Sequence, residues 1–108
     1  MQIYKIEDMK GGWFIGNFEP SIIKTNNFEI SYKFHKKGEI LDIHYHDTVT
    51  EINLVTNGEI IIQNKKLKKG DIFVLSPFEI ADPTFPEDCE IVCVKIPSKN
   101  DKVSVLKK

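Results

Sequence analysis

The chain has 108 residues, with 15 lysines, no arginine and 16 acidic residues, for a formal net charge of −1. A chain this short fills a single core, which excludes two-domain dehydrogenases, kinases and motors and makes residues 1–108 one domain. Hydrophobic residues at 41% and charged residues at 29% exclude a disordered chain. The lack of the guanidinium fork, which grips phosphate and guanine bidentately, speaks against nucleic acid as a partner.

Ile, Val, Thr, Phe and Tyr recur in short runs separated by Gly, Asn, Asp and Pro, and helix signals are weak. In chain order the expected strands are residues 2–6, 13–18, 21–25, 28–35, 43–46, 51–56, 59–63, 71–75 and 89–96. Trp13, Phe14 and Phe18 read as core or dimer-contact aromatics rather than a ligand platform. The run 28–35 alternates, with Phe28, Ile30, Tyr32 and Phe34 on one face and Glu29, Ser31, Lys33 and His35 on the other. His35, on the polar face, is expected at the surface or rim and not as a ligand. Asn57 followed by Gly58 predicts a type I′ turn that folds residues 51–63 into one hairpin. Lys65, Lys66, Lys68 and Lys69, together with the C-terminal lysines, read as solvated faces. Cys89 and Cys93 on one strand stand about 13 Å apart, beyond the ~7 Å of a disulfide, so both are expected reduced in the core. So many short strands imply a sandwich or barrel, an all-β fold.

No apolar run approaches the ~18 residues of a membrane span. The first ten residues lack the basic start and apolar middle of a secretion signal, and a cytoplasmic location without membrane contact is expected.

The stretch that carries chemistry is Gly38, five residues, His44, one residue, His46, four residues, Glu51, six residues, Gly58. Residues two apart on a strand share a face with Cα atoms about 6.5 Å apart, so both imidazoles can converge on one ion. Glu51 lies an odd number of positions from His46 and would face away on one unbroken strand. A turn at residues 47–49 would bring it back on the neighbouring antiparallel strand.

Residues 38–58 resemble the first motif of the cupin superfamily, with its Gly, HxH, Glu and Gly positions all filled. The second motif is half present in residues 70–82: Gly70, Asp71 and Pro77 fit, Glu79 stands at a Gly position, and Asp82 falls where the third metal His would be. A shift of one residue puts Ala81 there instead. Asp82 is either a fourth ligand or the opening of the turn before Pro83. The segment 11–21, GGWFIGNFEPS, also resembles small cupins that accompany surface-polysaccharide and nucleotide-sugar pathways.

The resemblance implies a double-stranded β-helix (jelly-roll) barrel and a homodimer. Two imidazoles and a carboxylate with open positions suit Fe, Mn, Ni or Zn as the divalent cofactor. Lys33 and Lys95 are charges inside strand-like runs that either face outward or line the barrel as anion contacts or proton carriers. The expected function is a metal-dependent isomerase, epimerase or lyase on a small sugar or other hydroxylated or carbonyl metabolite. A non-catalytic small-ligand-binding module and a cupin dioxygenase are the alternatives.

Overall fold

The computed structural model describes residues 1–105, so the C-terminal Lys107 and Lys108 lie outside the described residues. Among the described residues nine strands form: β1 Trp13–Ile15, β2 Glu29–His35, β3 His44–His46, β4 Thr50–Asn57, β5 Glu59–Ile62, β6 Lys65–Lys68, β7 Ile72–Leu75, β8 Cys89–Ile96 and β9 Lys102–Ser104. Among the described residues the only helical segments are two 3-10 turns, Ile6–Asp8 and Lys10–Gly12, and no helix is long and apolar enough to cross a membrane.

Five strands make an antiparallel sheet in the order β1-β2-β8-β4-β7. The second layer is pieced together from two ladders, β3 with β9 and β5 with β6. Residues 81–84 join them, because Ala81 bridges His44 and Thr84 bridges Ile61. This layer therefore runs β9, β3, residues 81–84, β5, β6. Between the two layers lies an open cavity of about 1320 Å³.

The register stacks inward-facing residues of the large sheet in rows. Lys33, Ile91 and Val55 form one row, Ser31, Cys93 and Asn53 the next, and Glu29, Lys95 and Glu51 the third. Val55, Ile60, Phe85, Cys89 and Ile91 form one buried apolar cluster and Ile62, Leu75 and Ala81 a second, and burial of both stabilises the fold. Past Cys93 the rows become polar. Both cysteines are free and buried on the inner face of β8.

Four expectations are corrected. Residues 2–6 do not form a strand, and Ile3 and Tyr4 are exposed. Residues 21–25 reach β1 only through isolated backbone bonds such as Ile22 N–H to Phe14 O, 2.8 Å, so no ladder forms. Residues 51–63 are not one hairpin: β4 pairs with β7 and β8, while β5 pairs with β6. The positive φ of Gly58, 78°, instead lets the chain cross from one layer to the other, where a Cβ would collide with the Asp88 carbonyl. The tight turn sits at Gln63 and Asn64, with φ of 50° and 62°, both central residues being positive as a type I′ turn requires. Finally, His35 faces inward, stacked on Phe85 at 4.5 Å and bonded to Glu39 at 2.8 Å, with 13% of its side chain exposed.

Candidate metal centre

His44 and His46 project from β3 on one side, their ring centroids 5.4 Å apart and nearly perpendicular. Glu51 does not return on a strand beside β3. It sits on β4 in the large sheet, and the short link 47–49 carries the chain across so that the carboxylate meets the imidazoles from the opposite layer. One ligand atom from each of His44, His46 and Glu51 lies within 4.8 Å of the others.

Each group is oriented by a partner. His44 Nδ1–H donates to the Asp42 carbonyl at 2.9 Å, which leaves Nε2 free toward the cavity. His46 Nδ1 lies 2.6 Å from Asp101 Oδ1, and its Nε2 lies 3.3 Å from Glu51 Oε2. Asn53 Nδ2 donates to the other Glu51 oxygen at 3.1 Å. Asp101, 3% exposed at the side chain, also accepts the backbone N–H groups of Thr48 and Val49 at 2.8 and 3.0 Å. Sequence reasoning missed Asp101: it lies 55 positions from His46 and carries no local pattern.

The electrostatics follow from these contacts. Burial lowers the pKa of His44, so it is neutral at neutral pH. The Glu51 carboxylate raises that of His46 against the opposing effect of burial, with Asp101 adding to it. Burial pushes Glu51 up, but hydrogen bonds from His46 and Asn53 outweigh it and the net shift is downward. Asp101 is likewise raised by burial but brought to about 2 by the Thr48, His46 and Val49 donors.

These residues fit a divalent ion. The donor set is two imidazole nitrogens and one ionised oxygen, and Nε2 and Oε2 stand at 3.3 Å. Two ligand atoms each about 2.1 Å from one tetrahedral or octahedral ion are about 3.0–3.4 Å apart. Hydrogen-bonded outer groups that fix the tautomer are the usual support of ligating histidines.

Asp82 is not brought to this group. Its Oδ1 accepts the Gln63 N–H at 2.8 Å and closes the β5–β6 turn against the 81–84 segment, while the buried Ala81, which bridges His44, lines the cavity beside it. Lys33 and Lys95 both turn into the cavity. Lys95 pairs with Glu29 at 3.4 Å, whereas Lys33 makes no ion pair among the described residues. Both ammonium groups lie over the Trp13 ring, at 5.1 and 5.3 Å. Burial lowers the pKa of Lys33.

No protein-family model matches the chain, and no curated protein matches it in sequence. Solved structures do match. An uncharacterized conserved protein with a double-stranded β-helix domain from Klebsiella pneumoniae superposes with a TM-score of 0.72 at 19% identity, covering 98% of this chain and 93% of that one. A cupin-2 domain containing protein from Shewanella frigidimarina gives 0.56 at 19% identity, over 69% of this chain and 76% of that one. The DMSP lyase DddQ from Ruegeria pomeroyi gives 0.63 at 14% identity, over 82% of this chain and 48% of that one. Two antiparallel layers around an open cavity agree with these matches: this chain has the double-stranded β-helix fold of the cupins.

Proposed function

We propose that the protein is a metal-dependent enzyme of the isomerase, epimerase or lyase type, acting on a small hydroxylated or carbonyl metabolite. The observation that supports this most is the convergence of His44, His46 and Glu51 on the wall of a cavity that also holds the unpaired lysine Lys33. A divalent ion held there supplies Lewis-acid polarisation of a chelating hydroxyl or carbonyl. Proton movement falls to the chain itself. Lys33 Nζ suits the acid role, because burial makes its ammonium release a proton more readily than a solvated lysine does. Lys95, tied to Glu29, is the less free of the two. Asp101 and Asp42 hold the imidazoles so that one nitrogen of each stays available.

A sugar or nucleotide-sugar substrate, a cytoplasmic location and a homodimer complete the proposal. Elemental analysis of the wild-type protein beside His46→Ala tests the metal, with Mn, Fe, Ni or Zn expected near one per chain in the former alone. Turnover of sugar phosphates and nucleotide sugars, compared with His44→Ala and Lys33→Gln, tests the chemistry. Ligand binding without turnover would make the protein a binding module. Oxygen uptake with added Fe(II) would make it a dioxygenase.

A further inference from the structure

We propose that Lys33, Lys95 and Ser31 form an oxyanion subsite beside the metal centre, so that the small molecule taken into the cavity carries a carboxylate or a phosphate. The inference deepens the proposed function and rests on it for the position of the metal. The subsite itself stands on other residues.

Ser31 is fully buried, and its Oγ has no hydrogen-bond partner among the described residues. A buried hydroxyl left unpaired is destabilising, so such a group is an unfilled contact that a ligand can complete. It sits on the inner face of β2 two residues from Lys33, opposite Trp13 on one side and Cys93 on the other, one row from Lys95. Lys33 and Lys95 thus bracket it along the sheet, and both lean over the same indole. Each ammonium has three N–H donors. Among the described residues those of Lys33 meet no acceptor, and those of Lys95 meet only Glu29 at 3.4 Å. The indole face attracts the charge but supplies no oxygen to these donors. One oxyanion offers acceptors to both ammonium groups and to the hydroxyl.

Charge points the same way. Four lysines and four glutamates border the cavity, so its wall carries no excess of its own. A divalent ion adds two positive charges and Asp101, behind His46, cancels one. A ligand that chelates the metal and carries one anionic group restores neutrality. Glu51 and Lys95 are direct neighbours across β4 and β8, which puts the anion next to the metal.

Trp13 is the chain's one tryptophan, so its emission reports on this subsite without any metal. Metal-free protein is titrated with inorganic phosphate and, separately, with glycolate, against chloride at equal ionic strength. A saturable change is expected with at least one of the two, the tighter probe identifying the group as phosphate or carboxylate. Lys33→Met should weaken it at least about 10-fold, Ser31→Ala by a few-fold, and Lys33→Arg by no more than about 3-fold, as for a charge-assisted contact. Lys69→Gln, on the exposed edge, should leave it unchanged. Thermal unfolding checks that each variant is folded, and the charge-keeping Lys33→Arg keeps the comparison decisive where Lys33→Met is not. An equal response to chloride, no response at all, or undiminished binding by folded Lys33→Met overturns the subsite. Loss of the response in His44→Ala would put the anion on the imidazoles and overturn it too. A protein that holds no metal yet keeps the response removes the metal centre and leaves the subsite standing.

Discussion

Asp101 determines which nitrogen of His46 faces the cavity, because its carboxylate takes Nδ1 at 2.6 Å while two backbone donors hold it in place. Outer-sphere partners of this kind are worth about 10- to 100-fold in metal affinity. Asp101→Asn is therefore expected to bind Zn(II) or Mn(II) about 10- to 100-fold more weakly in a chelator-competition titration, whereas Asp82→Asn, outside the ligand group, should change it less than about 2-fold. The pH dependence has a definite sign. His46 has a raised folded pKa in the metal-free protein, so its charge contributes stability below the unfolded value of 6.5, and this is lost as pH rises through the folded value. Metal binding runs oppositely, since the ion must displace that proton. Metal occupancy should fall as pH drops through the raised value, while His44, already neutral, sets no limit there. Occupancy measured by equilibrium dialysis between pH 8 and 4.5 checks this, and full occupancy at the acid end would exclude imidazole ligands.

At the scale of elements, the HxH spacing was legible because two residues on one strand share a face whatever the strand packs against. The Asn57–Gly58 signal was legible as a positive φ at Gly58 and misleading as a hairpin, because Asn57 does not share it and a single positive φ serves a crossover between layers. Gly58→Ala should cost more than the roughly 1–3 kcal/mol of a strained non-glycine residue, since its Cβ also strikes the Asp88 carbonyl. Denaturant unfolding reads the loss directly. β6 and β9 were not legible: KKLK and KVS lack the alternation of a half-buried strand, and each is held by a ladder to a distant or preceding partner. β9 has a functional consequence, because its pairing with β3 delivers Asp101 to His46.

For the whole molecule, turning the rows that hold Lys33, Ser31, Glu29 and Lys95 inward leaves the apolar residues of the sheet's other face outside. Phe34, Ile72 and Val74 are 52%, 65% and 50% exposed on that outer face. Large exposed apolar patches are characteristic of association surfaces, and a second copy is the occupant expected. Sedimentation equilibrium at tens of micromolar should return the mass of two chains, and Val74→Lys, a charge placed in that face, should return one. A monomeric wild-type protein would refute the dimer.

The sequence by itself determined what is local: an all-β chain, the imidazole pair on one strand, and two sets of residues alternating along β2. It could not tell which of those sets faces the interior, because period two assigns residues to a common face but not to a side of the sheet. Tertiary packing made that choice, turning Glu29, Ser31, Lys33 and His35 inward and Phe34 to the surface. It also set the layer from which Glu51, near in the chain, meets the imidazoles, and it decided what lies far apart, bringing Asp101 back over 55 residues. Contacts of that separation arise only once strands have paired, so no spacing rule along the chain encodes them.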